Sequence, residues 1–140
     1  MILLDTNTII HYLKGRGSVA GRLQETSPRE LAIPSVVAYE IERGTLKLGS
    51  ARRRAIVSGL LAGMDQIPFD SEAAREAARI RAALEASGRS IAPMDLLIAG
   101  TAVSRGAVLV TANTKELSRA ARSRTGPSRR PRSPGGNMQR

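Results

Sequence analysis

Short apolar runs alternate with helical patterns along this chain, and that alternation restricts its fold more than any other feature. The apolar runs are strand candidates at residues 2–4, 31–33, 66–69 and 107–110. Helical segments separate them, and parallel strands need such crossover connections. We therefore expect a three-layer α/β fold, in which a parallel sheet of about four short strands is flanked by helices.

Cap and turn residues set the limits of the predicted helices. Ser35 and either Asp70 or Ser71 are candidate N-caps, and Pro93 opens a further helix. Glycine follows most of the helical patterns and ends them. The predicted helices cover residues 6–14, 19–25, 35–48, 52–62, 71–87 and 93–105.

The positive charge of the chain is concentrated near its C-terminus. The formal net charge is +10, but residues 119–140 contain seven arginines and no acid. Residues 1–118 carry the other fifteen basic side chains and all twelve acids. Beyond residue 119 the sequence is rich in Arg, Ser, Pro and Gly and has no apolar periodicity. We therefore predict a folded domain at residues 1–119 and a disordered basic tail at residues 120–140.

Composition excludes several classes of site. The chain contains no cysteine, so it can form neither a disulfide framework nor a thiolate metal site. Any metal ligands must be oxygen atoms or the single His11, which is more simply a surface or packing residue. No apolar run approaches the ~20 residues of a membrane span, and no basic segment precedes an apolar one as in a signal peptide. We expect a cytoplasmic protein.

Three acids are placed where they could meet at one end of the predicted sheet. Asp5 directly follows the first strand, and Glu40 shares a helical stripe with apolar residues after the second strand. Asp95 lies in the first turn of the helix before the last strand. Sites in open α/β sheets form outside the carboxyl ends of the strands. Taken singly, Asp5 is a candidate helix N-cap and Asp95 a partner of the helix dipole. The three acids together favour a site.

The predicted cluster of acids indicates a metal-dependent reaction. Oxygen ligands select Mg²⁺ or Mn²⁺ over zinc. An ion held by these three acids would lower the pKa of a bound water and stabilise the transition state of phosphodiester hydrolysis. After the last predicted strand, Thr111, Asn113 and Glu116 follow near the same edge of the sheet.

Four stretches together resemble the PIN-domain endoribonuclease toxins of the VapC type. They read LLDTNTIIHYLKG, LAIPSVVAYEIERG, IPFDSEAAREAARIRAALEASGRSIAPMDLLIAGTA and AVLVTANTKELSR, and they cover about residues 1–119 in the family's order. The resemblance implies a Mg²⁺- or Mn²⁺-dependent endoribonuclease that acts as a toxin. It further implies RNA as substrate, with the anticodon loop of initiator tRNA favoured. A homodimer and a cognate antitoxin, whose C-terminal segment covers the acidic groove, are implied as well.

The family's functional positions are carried over one residue at a time. Asp5 matches the first metal ligand, Glu40 the second acid and Asp95 the third. Asn113 and Glu116 match the last motif, which supplies a fourth polar or acidic group. The supporting polar residues of the family correspond to Thr6, Asn7, Ser35 and Thr111. The chain departs from the family at Ala112, where a polar residue is usual, and at Leu117, where phenylalanine is usual.

The tail is a larger departure from the family. Family members generally close with a further strand that ends in an acidic and aromatic sequence, and this chain has RSRTGP at residues 122–127 instead. Codons for these six residues can be written that, read one base earlier, encode Ala-Leu-Glu-Asp-Trp-Pro. We therefore hypothesise that the tail from about Ala120 is an out-of-frame reading of the family's usual terminus. The nucleotide sequence of the gene tests this hypothesis.

Two other functions stay open at this point. A phosphatase of the haloacid-dehalogenase type could use Asp5 as a nucleophile, but that chemistry requires a second acid two residues later, where this chain has Asn7. A non-catalytic PIN module could instead bind RNA or a protein. The complete set of acids argues against that module, and the altered terminus argues for it.

Overall fold

The computed structural model describes residues 1–15, 21 and 23–111 of the chain. Strands and helices alternate through these ranges, and a 3₁₀ turn at Pro28–Glu30 precedes the second strand. The elements in chain order are β1 (Ile2–Leu4), α1 (Thr6–Leu13), β2 (Leu31–Pro34), α2 (Ser35–Leu48), α3 (Ala51–Ala62), β3 (Asp65–Ile67), α4 (Ser71–Ala86), α5 (Pro93–Ser104) and β4 (Val108–Val110).

The strands form one parallel sheet in the order β3-β2-β1-β4. In the register of β1, Ile2 lies opposite Leu31 of β2 on one side and Val108 of β4 on the other. The predicted fold, a parallel four-stranded sheet flanked by helices, is confirmed. Because all four strands point the same way, their carboxyl ends share one edge, which we name the carboxyl edge.

The structure differs from the predicted elements at two places, and part of a third prediction lies outside the described residues. The third strand ends at Ile67 and does not reach Phe69, because Pro68 has no N–H to donate to the neighbouring strand. Ser35 is not the N-cap of α2 but its first helical residue, since β2 continues through Pro34, which is the cap residue. Of the predicted segment 19–25, residues 19, 20 and 22 are outside the described ranges, and so is the predicted tail at 120–140.

The core of the domain covers both faces of the sheet. Leu3, Leu4 and Ile33 are fully buried in the two central strands. On one face, α1, α2 and α3 contribute Ile9, Val37 and other side chains to a shared apolar cluster. Leucine and isoleucine side chains of α4 and α5 form a second cluster. None of the helices in the described ranges is long and apolar enough to cross a membrane.

Helices α4 and α5 form an antiparallel pair, and a salt bridge joins them at one end. Asp70 is the N-cap of α4, and its Oδ1 accepts a hydrogen bond from the Ala73 amide at 3.0 Å. Its Oδ2 accepts one from the Arg105 guanidinium, just past the end of α5, at 2.8 Å. Since α5 then leads straight into β4, its opposite end, the first turn, lies toward the carboxyl edge.

Acidification should remove the stabilisation that Asp70 contributes. The pKa of Asp70 lies below its ordinary value of 3.8, chiefly because the Ala73 amide donates to the carboxylate, and also because Arg105 is close. Folding therefore favours the ionised form, and the contribution is complete above pH 3.8 and is lost as the pH falls through the folded-state pKa. Both side chains are about one-third exposed, so solvent screens the pair.

The measurement is the melting temperature of the wild type and of Asp70→Asn, followed by circular dichroism from neutral pH down to about pH 2. Asparagine still caps the helix but cannot pair ionically with Arg105. We expect the wild type to melt higher at neutral pH and the difference to shrink at the acidic end. A difference that is equally large at both ends of the range would contradict this assignment.

Candidate active site

Asp5 lies at the carboxyl end of β1 and is buried, with 4% of its surface exposed. It is also the N-cap of α1, because its Oδ1 accepts a hydrogen bond from the Thr8 amide at 2.8 Å. The cap and the site explanations of this residue are therefore compatible. Each carboxylate oxygen has two lone pairs, so a capping hydrogen bond leaves room for a further ligand on the same oxygen.

Hydrogen bonds to the last residue of β4 fix the position of Asp5, although the two residues lie far apart in the sequence. The Asp5 amide and the Thr8 hydroxyl both donate to the carbonyl oxygen of Val110, each at 3.2 Å. This pairing brings Thr111 beside the acid, and its hydroxyl donates to Asp5 Oδ2. The orientation of the Asp5 carboxylate is thus set by hydrogen bonds to both oxygens. Thr8 was not singled out from the sequence, although its place three residues after a capping aspartate is typical of an N-cap partner.

Glu40 is brought next to the beginning of α1 by a single hydrogen bond. The Thr6 hydroxyl donates to Glu40 Oε1 at 2.9 Å, across 34 positions of sequence. Glu40 is half-buried on the second turn of α2, the helix that starts at the carboxyl end of β2. Since Thr6 directly follows Asp5 in the chain, the structure places the first two predicted acids in one neighbourhood.

Asp95 lies on the same side of the sheet, where the first turn of α5 places it. It lies in the first turn of α5, half-buried, and α5 packs against α2, β2 and β4. The direction of α5 places that turn toward the carboxyl edge, where Asp5 and Glu40 also lie. The sharing of one ion by the three acids stays a prediction.

The described residues test the predicted metal site only in part. Within the described ranges, no three His, Asp or Glu side chains are close enough together to hold one ion. The chemistry of the candidate donors nevertheless suits Mg²⁺ or Mn²⁺, since every one is a carboxylate. Magnesium commonly takes only one or two protein carboxylates and completes its shell with water and substrate oxygens. A site at Asp5 with one further acid would meet that requirement.

Of the remaining residues considered for the site, one lies at the carboxyl edge, two are exposed on α1, and two are outside the described residues. Ser35 is half-buried at the first turn of α2, at the carboxyl edge, whereas Asn7 and His11 are exposed on α1. Asn113 and Glu116 belong to a segment that the structure does not describe, so the fourth group of the predicted site stays a prediction.

An apolar groove lies between α1, α2 and α3, and Glu40 is one of the residues that line it. Its volume is about 320 Å³, and Ile10, Ile41 and Val57 contribute to its walls. Leu13, Leu48 and Ile56, which also line it, are exposed to solvent by 36%, 62% and 50%. A groove of this kind fits an apolar helix or strand of another protein.

Comparisons with known proteins agree with the fold described above. A family model described as the PIN domain matches residues 2–123. The tRNA(fMet)-specific endonuclease VapC of Shigella flexneri is 34% identical over 124 residues, which are 88% of this chain and 94% of that protein. Ribonuclease VapC2 of Rickettsia felis is 32% identical over 122 residues, 84% of this chain and 90% of that protein. Among solved structures, the DNA-bound VapBC of Salmonella typhimurium has a TM-score of 0.75 and 32% identity, covering 85% of this chain and 91% of that one.

Proposed function

The chain belongs to the PIN-domain family, and on that basis we propose that it is an endoribonuclease toxin of a VapBC-type toxin–antitoxin pair. The observation that carries the proposal is the buried Asp5 at the carboxyl edge, with Glu40 held beside it through Thr6. Relatives with 34% identity over most of their length are named as endonucleases. Acids at that edge could hold the metal ion that assists hydrolysis of a phosphodiester.

The proposed reaction depends on Mg²⁺ or Mn²⁺, which Asp5 and either Glu40 or Asp95 would hold directly, with the third of these acids contacting the ion through bound water. When bound, the ion supplies a nucleophilic water at neutral pH and stabilises the negative charge that develops on the phosphate. The chain's own contribution is orientation. Thr111 and the Thr8 amide fix the Asp5 carboxylate, and the Thr6 hydroxyl occupies one oxygen of Glu40, so that its other oxygen is left for the ion or its water.

Further groups complete the proposed site. Ser35 and Asn7 lie at the start of the helices that follow β2 and β1, where their side chains can contact the substrate's phosphates. Glu116 or Asn113 would supply the fourth polar group, as the resemblance implies. These assignments come from matching motifs, and each can be tested by a single substitution.

For the substrate we propose initiator tRNA, cut in the anticodon loop. Two relatives with 34% identity, from Shigella flexneri and Salmonella typhimurium, are named as tRNA(fMet)-specific endonucleases. This chain matches them over 94% and 89% of their lengths, so the whole domain is shared.

The proposed partners are a cognate antitoxin and a second copy of the chain, and the proposed location is the cytoplasm. Three similar solved structures, with 30%, 32% and 29% sequence identity, are described as VapBC. The apolar groove between α1, α2 and α3 suits the antitoxin, because a segment bound there would reach Glu40 and obstruct the site. The alternative is a non-catalytic PIN module, which the absence of a three-acid group within the described ranges favours.

The purified chain should cleave initiator tRNA in the presence of Mg²⁺ and lose that activity in EDTA. Activity should return on addition of excess Mg²⁺ or Mn²⁺, because oxygen ligands bind these ions reversibly. Fragments are mapped at their ends, and elongator methionine tRNA serves as the matched control substrate. Cleavage that resists EDTA would point to contamination or to a metal-independent mechanism. A folded chain that binds tRNA but cuts no RNA would establish the non-catalytic module instead.

A further inference from the structure

The hairpin formed by α2 and α3 carries a large unbalanced positive charge. Residues 43–64 contain five basic side chains and no acid. Of the fifteen basic side chains in residues 1–118, the other ten are outnumbered by the twelve acids, so the excess positive charge of that range comes from the hairpin. Four of the five cations lie on either side of the bend at residues 49–50. We name these four the bend patch: Lys47, Arg52, Arg53 and Arg54.

The charges of the bend patch are available to a ligand. All four side chains are exposed, and none takes part in an ion pair within the described ranges. Helix α4 shows the contrast, because it also carries three arginines but has three glutamates among them, and two of its arginines form ion pairs on the same helix. Helix α3 carries three arginines and no acid. Its charges therefore require a counterion from outside the helix.

The position of the three arginines is unfavourable for α3 itself. The N-terminal end of a helix carries a partial positive charge, so cations in the first turn lower its stability. Arg52, Arg53 and Arg54 occupy the first turn, which contains no acid. The cap is made by the Ser50 hydroxyl, which accepts a hydrogen bond from the Arg53 amide at 3.3 Å, so it does not depend on the guanidinium groups. Residues that oppose a local preference in this way are expected where function requires them.

The bend patch and the candidate active site border the same groove. The apolar groove between α1, α2 and α3 is lined by Glu40, which the Thr6 hydroxyl holds near Asp5. It is also lined by Arg53 and by Lys14, the cap residue at the end of α1. The volume of the groove is only about 320 Å³, so a molecule as large as a folded tRNA can contact the patch and the acids at the same time.

We propose that the bend patch binds backbone phosphates of the tRNA, away from the bond that is cut. Arginine and lysine side chains bind phosphates without reading the bases, so the patch adds affinity and orients the substrate without selecting its sequence. Residues 43–64 contain no aromatic side chain, so stacking on bases does not contribute there. The proposal rests on the ribonuclease function put forward above, which supplies the identity of the RNA.

An acidic segment of a partner protein is a weaker candidate for the patch. Successive residues of a helix point about 100° apart, so the three arginines fan around the end of α3. A peptide that lies along one side of the helix reaches one or two of them. The phosphates of a folded RNA are distributed over several sides and can meet all three. The arrangement therefore favours a folded polyanion.

Removal of the charges tests the proposal. Every protein is the full chain and carries Asp5→Asn, so that tRNA is bound but not cut, and the C-terminal arginines are the same throughout. Binding of initiator tRNA is measured by fluorescence anisotropy at several salt concentrations, for this parent and for the patch variant, in which Arg52→Gln, Arg53→Gln and Arg54→Gln are combined. Each lost contact should lower the slope of log affinity against log salt by about 0.7, so the slope should become shallower by about 2 and the dissociation constant at about 0.1 M salt should rise roughly 10–100-fold.

Two further variants separate the patch from total charge and from the fold. The α4 variant combines Arg75→Gln, Arg79→Gln and Arg81→Gln, which remove the same charge from exposed positions on another helix and should leave the salt slope unchanged. The lysine variant, with lysine at the three patch positions of α3, keeps the charge and should keep most of the affinity. The melting temperature of the patch variant should equal or exceed that of the parent, because cations leave the positive end of α3.

The outcomes decide the proposal in either direction. A patch variant that binds tRNA like the parent would overturn it, and so would a parent that binds no tRNA. An equal loss in the α4 variant would assign the effect to total charge, and a patch variant that melts lower without rescue by lysine would assign it to the fold. A patch variant that keeps its tRNA affinity but binds poly-glutamate less tightly would assign the surface to an acidic protein. Wild type that cuts no RNA would refute the ribonuclease function, whereas the binding data still decide the patch.

Discussion

Replacing Asp5 by asparagine should reduce RNA cleavage by roughly 10²–10³-fold, because it weakens the hold on the ion that would stabilise the developing charge, and losing one such stabilising interaction usually costs this much. The fold should survive the change. Asparagine is as good a helix N-cap as aspartate, so its oxygen can keep the hydrogen bond from the Thr8 amide. Its amide nitrogen can donate to the Thr111 hydroxyl, which reverses the present direction of that bond. Removing one of several neighbouring negative charges should leave stability equal or slightly higher.

The experiment compares initial rates of tRNA cleavage with circular-dichroism melts of the same preparations. Asp65→Asn is the matched control, because Asp65 is exposed at the first residue of β3, at the opposite edge of the sheet. It should retain full activity. If Asp5→Asn cleaves RNA like the wild type, the acid is only a helix cap and the proposed site is wrong. If the variant unfolds, its loss of activity says nothing about catalysis, and the claim that the charge is functional and not structural fails.

Replacing Gly100 by alanine should lower the free energy of unfolding by about 1–3 kcal/mol, the usual cost of inserting a methyl group into a packed interior. Gly100 lies where α5 crosses α4. A Cβ atom there would lie 2.7 Å from the carbonyl oxygen of Ala73 and 2.7 Å from the Cβ of Ala77. Both obstacles belong to or adjoin the backbone of α4, so neither can rotate away. The helices would have to separate, and the cluster of Ile80, Leu84 and Leu96 between them would loosen.

Gly59→Ala provides a matched comparison, since it is the same substitution within a helix but with open space around the new methyl group. Gly59 lies inside α3, and a Cβ there meets no atom within 4 Å. Alanine is better than glycine in a helix interior by about 0.5–1 kcal/mol, so this variant should be more stable than the wild type. Urea denaturation of the three proteins measures both differences. Equal stabilisation by the two substitutions would show that α4 and α5 do not meet closely at Gly100.

Much of the local structure follows from the sequence alone. The apolar run before Asp5, the cap at Asp70 and the helix-opening Pro93 each act over a few neighbouring residues. The structure confirms the elements that they predict, with small changes at the ends. Where the prediction failed, at Ser35 and Phe69, a proline decided the boundary, because Pro34 continues the strand into the helix and Pro68 interrupts hydrogen bonding.

The candidate site was predictable in part for the same reason. An acid directly after a buried strand is a local feature, so Asp5 could be singled out, and the positions of Glu40 and Asp95 on their helices singled them out too. The resemblance to a family added the supporting polar residues. Thr8 was not predicted, although the hydrogen bond from its amide to Asp5 is also local. The partner of Asp70 could not have been found, because Arg105 lies 35 positions away and nothing in the intervening sequence points to it.

The sequence by itself determined the approximate positions of the strands and helices and which acid stands at the end of β1, since these depend on interactions between near neighbours in the chain. Only the tertiary structure decided that Thr111 meets Asp5 across 106 positions and that Thr6 holds Glu40 across 34. Those contacts depend on the order of the strands in the sheet. That order places β1 between β2 and β4, and it is set by how the helices cover both faces, which no local pattern of residues specifies.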